Sequence, residues 1–162
     1  MLGADQRGQL GGVIARGDLM DGVPGNGIST FGGNPLSTTA ANAALDYVLD
    51  HDLQRNAATL GTMIIHGLRE ATARLDTVGE VRGKGLMFAV DLVDPGTGAP
   101  SPALATRALE EARERGLLIG KGGLQGHALR MAPPMNITEA DAKEGLGLLI
   151  DALRAVDAGA AK

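Results

Sequence analysis

The chain contains no cysteine and no tryptophan, and its only aromatic residues are one tyrosine and two phenylalanines among 162 residues. The lack of cysteine excludes disulfides, thiolate metal sites and a cysteine nucleophile. With so few rings, the chain offers no aromatic platform on which nucleic-acid bases would stack. Its core must therefore be built from Leu, Ile, Val, Met and Ala.

Concentrated positive charge and long apolar runs are also missing. The chain carries 15 Lys and Arg against 19 Asp and Glu, a net charge of −4, and no run of basic residues stands out. No apolar run approaches the roughly 20 residues that a membrane helix needs, and the first nine residues lack a signal-peptide pattern. We therefore expect no nucleic-acid partner, no membrane partner and a cytoplasmic location.

What is present is a composition of 44% hydrophobic and 21% charged residues, which suits one globular core. Apolar periodicity and capping signals predict four helices and five strands. The helices are expected over 35–49, 52–75, 101–115 and from 138 onward, and the strands over 10–15, 78–82, 86–93, 117–119 and 127–131. The last five residues are expected to fray. This order predicts an α/β chain, in particular a small α+β domain with one sheet covered by helices.

The loop over residues 28–36 combines two hydroxyls, a glycine pair and a helix start. Ser29 and Thr30 offer donors to an anion, and the following Gly-Gly allows a ligand to approach the backbone. Asn34 can cap the helix that Pro35 begins. The stretch is therefore either part of an anion site or simply a glycine turn followed by a helix cap.

A second glycine-rich stretch, residues 120–126, invites a phosphate-loop interpretation that fails in detail. Gly122 follows Lys121 where a phosphate loop requires Ser or Thr, and no long helix begins there. Residues 82–85 are better explained as a tight turn between two strands. The three histidines lie far apart in the sequence, so we expect no metal site, and no nucleophile elbow is present.

Arg130 stands out because it lies between Leu129 and Met131 in an apolar strand. Burying a guanidinium without a partner is costly, so Arg130 should face a carboxylate. That carboxylate can belong either to the protein or to a substrate.

Four short motifs, which follow one another along the chain, resemble those of a known family. They are Thr30-Phe-Gly-Gly-Asn-Pro35, Gly79-Glu-Val-Arg-Gly-Lys-Gly-Leu86, Gly116-Leu-Leu-Ile-Gly-Lys-Gly-Gly123 and Leu129-Arg-Met-Ala-Pro-Pro134. With them, residues 10–156 resemble the C-terminal part of class III aminotransferases, which are fold-type I pyridoxal-phosphate enzymes acting on ω-amino and related amino acids. Within the class, the chain is most similar to the alanine–glyoxylate and 4-aminobutyrate transaminase branch.

The resemblance implies roles for individual residues. Thr30 matches the threonine that reaches the cofactor phosphate of the neighbouring subunit, with Ser29 beside it. Arg130 matches the arginine that holds the substrate carboxylate, a task suited to its bidentate fork. The implied activity transfers an amino group from an amino acid or ω-amino acid to a 2-oxo acid, in a homodimer or with a separate large-domain polypeptide. Residues 1–39 would then end the large domain, 40–156 form the small domain, and 157–162 make a frayed tail.

The chain departs from the family at the Schiff-base lysine. The family places this lysine just ahead of the strand that begins here at Leu10, near residues 2–3, but no lysine precedes Lys84. Covalent pyridoxal chemistry needs that amine. We therefore expect a fragment or split-gene product with no catalytic residue of its own, inactive in isolation.

Two alternatives remain open from the sequence. One is a non-catalytic α+β module for binding or oligomerisation that retains the aminotransferase small-domain fold. The other is an unrelated phosphate-binding protein that uses the loop over residues 120–126, for which Lys121 would be required.

Overall fold

The computed structural model describes residues 2–4, 10–23, 25 and 30–160, and it divides into two compact units. The first unit covers residues 1–52 and the second residues 53–162. The elements of the first unit are β1 (Leu2–Ala4), β2 (Leu10–Gly12), α1 (Gly17–Asp21) and α2 (Pro35–Asp50). Those of the second are α3 (Leu53–Thr72), β3 (Val78–Lys84), β4 (Met87–Leu92), α4 (Pro102–Glu114), β5 (Gly120–Gly122), β6 (Ala128–Met131) and α5 (Glu139–Ala160).

In the first unit, β1 and β2 form an antiparallel hairpin, and α2 is the longest element. The start of α2 follows from local chemistry. The Asn34 Oδ1 atom accepts a hydrogen bond from the Ser37 backbone N–H at 2.9 Å, and Pro35 occupies the first turn, where its missing N–H costs nothing. Ser37 is the only buried residue of α2, so this helix contributes little to a core within the described part of the first unit.

The second unit is a four-stranded antiparallel sheet, in the order β3-β4-β6-β5, packed against three helices. Strand β4 alternates as its sequence predicts: Phe88, Val90 and Leu92 are buried, whereas the intervening side chains lie on the other face. The buried face packs against the apolar stripes of α3 and α5 and the alanines of α4. The helices therefore cover one face of the sheet, and the opposite face carries Met87, Ala89 and Asp91.

Helix α3 approaches the turn between β3 and β4 very closely. A Cβ atom added to Gly61 would lie 2.1 Å from the carbonyl carbon of Gly85. Gly85 itself has a φ of 57°, in the left-handed region that favours glycine. Glycines at both positions allow the helix to pack onto the backbone of the turn.

The structure differs from the sequence prediction at several element boundaries. The strand expected over 117–119 lies at 120–122 instead, because pairing with β6 selects Gly120–Gly122, while Leu117 and Ile119 pack against the core. Strand β3 extends through Lys84, so the predicted turn over 82–85 shifts to the two residues between Lys84 and Met87. Strand β2 ends at Gly12, short of the predicted 15, and α1 was not among the predicted helices.

The last helix extends further than the sequence predicts, up to residue 160, and residues 161–162 lie outside the described residues. Helix α5 continues to Ala160 rather than fraying from residue 158. Two contacts hold its last turns: Asp157 accepts hydrogen bonds from the backbone N–H and the hydroxyl of Thr77, and Arg107 lies 3.5 Å from the Ala155 carbonyl. These partners are distant in sequence. The local Ala-Gly composition, which predicted fraying, does not include them. The domain boundaries implied by the resemblance stay a prediction.

No helix among the described residues is long and apolar enough to cross a membrane.

Candidate functional site

Thr30 opens the turn that leads into α2, and its side chain is exposed. The turn is held by the backbone N–H of Asn34, which donates to the Phe31 carbonyl at 3.3 Å, and by the Asn34 Nδ2 atom, which donates to the same oxygen at 2.9 Å. The Thr30 hydroxyl makes no hydrogen bond within the described part of the chain. It is therefore available to an outside acceptor. Ser29, the other hydroxyl predicted for this site, lies outside the described residues.

Part of the N-terminus of α2 is already engaged. Pro35 has no N–H, the Ser37 N–H is bonded to the Asn34 side chain, and the Thr38 N–H is bonded to the Asn34 carbonyl at 3.1 Å. Thr30 is the hydroxyl among the described residues of this loop that suits a phosphate. This arrangement fits part of a phosphate site and supplies no lysine amine.

Arg130 lies on β6 with its side chain exposed, whereas Leu129 and Met131 on either side are buried. Strand alternation turns this guanidinium to the face that the helices leave open. Its guanidinium makes no hydrogen bond or ion pair with any residue that the structure describes. The sequence predicted a carboxylate partner for Arg130 from either the protein or a substrate. Among the described residues, no protein carboxylate binds it.

The residues around Arg130 are small. In the strand register it is paired with Ala89 of β4 on one side and with Gly120 of β5 on the other. A Cβ atom on Gly122 would lie 4.0 Å from the Arg130 Cδ atom. Two clefts of about 560 Å³ and about 320 Å³ adjoin Arg130, which is the size range of small-molecule sites.

The smaller cleft also contains Arg82, which sequence reasoning did not assign. Arg82 donates a hydrogen bond to Asp91 and lies 3.8 Å from a Glu80 carboxylate oxygen. The hydrogen bond to Asp91 and the charges of both carboxylates raise the pKa of Arg82 above its ordinary value. Alternate side chains of a strand lie on the same face. The sequences of β3 and β4 could therefore have placed Glu80, Arg82 and Asp91 together on one face of the sheet.

Asp91 has a second neighbour in His127. The His127 Nε2 atom lies 3.7 Å from an Asp91 carboxylate oxygen, too far for a hydrogen bond. The other Asp91 oxygen and His127 Nδ1 are buried without a hydrogen-bond partner among the described residues. The acidic group beside Arg82 is thus well shielded from water.

Lys121 and Lys84 occupy positions in the small sheet. Lys121 lies in β5, and its Nζ atom donates to the Thr106 hydroxyl at 2.8 Å. Lys84 ends β3. Because Gly120–Gly122 forms a strand rather than an anion-binding loop, the structure does not favour phosphate binding through residues 120–126.

An antiparallel sheet with helices on one face, and on the other an arginine that is unpaired among the described residues, defines an α+β domain. Comparison with known proteins gives the family. The family model described as aminotransferase class-III matches residues 9–153, and the chain belongs to this family.

Relatives and solved structures agree with this assignment. The chain is 40% identical over 135 residues to alanine–glyoxylate aminotransferase 2 homolog 2 of Arabidopsis thaliana, covering 83% of this chain and 27% of that protein. It is 34% identical over 145 residues to an alanine/serine racemase of Pyrococcus horikoshii, covering 90% of this chain and 30% of that protein. The ornithine aminotransferase structure from Toxoplasma gondii superposes with a TM-score of 0.77 at 29% identity, covering 92% of this chain and 34% of that one.

The resemblance stated from the sequence motifs is thereby confirmed. The chain spans about 30% of the length of the curated relatives it matches. Family membership implies pyridoxal phosphate as the cofactor, and the Toxoplasma enzyme holds this group at its active site with partial occupancy. In this chain, Thr30 fits one contact to such a group, whereas no lysine lies before Lys84 to hold it covalently.

Proposed function

We propose that this chain is the C-terminal portion of a pyridoxal-phosphate-dependent aminotransferase that transfers an amino group from an amino acid or ω-amino acid to a 2-oxo acid. The observation that carries the proposal is Arg130, an exposed guanidinium with no partner among the described residues. The motif resemblance matches this residue to the arginine that holds the substrate carboxylate. Thr30, with Ser29 beside it, contributes to the phosphate site of a neighbouring subunit.

The chemistry of each residue follows from its geometry. Arg130 binds the substrate carboxylate through two parallel N–H···O bonds and so fixes the orientation of the carbon that carries the amino group. Thr30 donates its hydroxyl to a phosphate oxygen. Pyridoxal phosphate, when bound, supplies the electron sink for bond breaking at the amino-bearing carbon.

The lysine that carries the cofactor must come from another segment or polypeptide. Lys121 is engaged by Thr106, and Lys84 ends a strand of the small sheet. We therefore propose that the chain does not transaminate alone and that it works with a lysine-bearing large domain, either in a homodimer or as a separate polypeptide. The absence of lysine from residues 1–83 is also the observation that favours the alternative, a non-catalytic module for binding or oligomerisation.

A chimera tests the proposal. The segment of the Arabidopsis relative that aligns with this chain is replaced by the chain itself, so that the rest of the relative supplies the lysine. We expect pyridoxal-phosphate-dependent transamination of alanine and glyoxylate by the chimera and none by the isolated chain.

In the chimera, Arg130→Ala should raise KM for the carboxylate substrates by about 10–100-fold, the loss expected for a charge-assisted bidentate pair. Arg154→Ala is the matched control, because Arg154 is an exposed arginine of α5 that lies 3.8 Å from Asp151. A folded, cofactor-loaded chimera without transamination would favour the non-catalytic module, and racemisation in its place would contradict the reaction type.

A further inference from the structure

We infer that Arg82 is a second anion-binding residue beside Arg130, and that the smaller cleft holds a ligand with two carboxylates by one arginine at each end. The inference rests on the proposed function only in taking Arg130 as a carboxylate-binding residue. Among the described residues that line this cleft of about 320 Å³, the charged ones are Arg82 and Arg130, and none is a carboxylate.

The Arg82 guanidinium keeps free donors although it belongs to an ion pair. Its Nη1 atom donates to Asp91 and lies 3.8 Å from a Glu80 carboxylate oxygen. Its Nε and Nη2 atoms make no hydrogen bond or ion pair with a residue that the structure describes. These two nitrogens form one edge of the guanidinium, which suits a carboxylate held by two parallel hydrogen bonds. Since the Arg82 side chain is 44% exposed, it can hold Asp91 and a ligand carboxylate at the same time.

The charges of the open sheet face favour an anion in this cleft. The charged residues of β3, β4 and β6 are three cations and two carboxylates, namely Arg82, Lys84 and Arg130 against Glu80 and Asp91. Neither carboxylate lines the cleft, and Glu80 is 63% exposed, so water screens its charge. Asp91 is bound to Nη1 and therefore fixes the Arg82 guanidinium without occupying its free edge.

The strand register brings the two arginines to the right separation. Arg82 is paired with Ala89, and Ala89 is paired in turn with Arg130, so the three residues form one row across β3, β4 and β6. Since neighbouring strands lie about 4.8 Å apart, the backbones of the two arginines are separated by about 10 Å. The residue between them is alanine, whose small side chain leaves the space above the row open. A short, flexible dicarboxylate such as glutarate can lie over Ala89 and present one carboxylate to each arginine.

Glutarate and pentanoate test the inference, because they have the same number of carbons and differ by one carboxylate. Each is titrated at constant ionic strength into the isotope-labelled full chain, without pyridoxal phosphate, while backbone amide shifts are followed by NMR. Both ligands should shift amides of β6, and glutarate alone should shift amides of β3 around Arg82. We expect glutarate to bind about fivefold more tightly, the upper part of the range for an exposed ion pair.

A double variant separates contact with Arg82 from the overall charge of the chain. Arg82→Gln combined with Asp91→Asn removes both members of the ion pair, so neither charge is left unpaired and the net charge is unchanged. Glutarate should then bind as weakly as pentanoate, whose affinity should stay the same. Lys84→Ala is the matched control, because it removes an exposed cation of β3 that does not line the cleft. This control should keep most of the preference for glutarate.

The possible failures point to different residues. Equal binding of the two ligands to the unmodified chain, or a preference that survives in the folded double variant, would overturn the role of Arg82 and retain Arg130. The β3 shifts of the unmodified chain test Arg82 even if the double variant does not fold. Arg130→Ala should abolish pentanoate binding, and Arg154→Ala should leave it unchanged. If neither ligand binds, or if pentanoate binding survives Arg130→Ala, the assignment of Arg130 in the proposed function fails as well.

Discussion

At the scale of single residues, Thr30 and Arg130 have side chains that no described neighbour engages. Thr30 belongs to the first compact unit and Arg130 to the second. Asn34 uses its own side chain and carbonyl to cap α2, which leaves Thr30 as the described hydroxyl of the loop for an anion. Each residue therefore has a clear single-site test.

Replacing Thr30 by valine in the chimera keeps the side-chain shape and removes the hydroxyl. We expect the affinity for pyridoxal phosphate to fall by about 10–100-fold, since a hydrogen bond to a charged acceptor contributes roughly 1.5–3 kcal/mol. The measurement is an absorbance titration of the cofactor-free chimera. Thr30→Ser should restore most of the affinity, and equal affinities for the valine and threonine forms would remove Thr30 from the phosphate site.

At the scale of elements, the contact between α3 and the β3–β4 turn holds the sheet against its covering helix. A Cβ atom on Gly61 would meet the carbonyl carbon, the oxygen and the Cα of Gly85, all within 2.5 Å. These are backbone atoms of a tight turn, and they cannot move aside as a flexible side chain would.

Gly61→Ala should therefore lower the free energy of unfolding by about 1–3 kcal/mol, the usual cost of overpacking, despite the better helix propensity of alanine. Gly147→Ala is the matched control, because Gly147 is also helical but has nothing within 4 Å of an added Cβ. That control should gain up to about 1 kcal/mol. Urea unfolding of both variants measures the difference, and a Gly61→Ala protein as stable as the control would contradict the close contact.

At the scale of the whole molecule, the two units differ in how they use apolar residues. The second unit has a continuous core, whereas the described part of the first unit leaves most of its large apolar side chains exposed. The exposed set is Val13, Ile14, Leu19, Met20, Val23, Phe31, Leu36, Leu45, Tyr47 and Leu49. So much apolar surface on one short unit is typical of an interaction surface.

The isolated chain should therefore self-associate, and sedimentation velocity over a range of concentrations measures this. Replacing Ile14 and Leu19 together by glutamate should reduce the association, because both side chains are more than half exposed. Leu124→Glu is the control in the second unit, where Leu124 is fully exposed. A chain that stays monomeric at all concentrations would show that these side chains do not form an interface.

Much of the second unit could be predicted from local patterns. The alternation of β4 and the apolar stripe of α3 placed their buried faces correctly, since burial on one side imposes a period on the sequence. The glycine-rich β5 and the last turns of α5 could not be predicted in this way. Their stability comes from β6, Thr77 and Arg107, which are far away in sequence.

The sequence by itself determined the family, through motifs whose order and spacing survive in the chain, and it determined that no lysine precedes Lys84. Only the tertiary structure decided that Arg130 is exposed and unpaired among the described residues while Arg82 is held by Asp91. Both arginines are equally charged in the sequence. How each of them can meet a ligand depends on the strand register, and that register is set by contacts between distant segments of the chain.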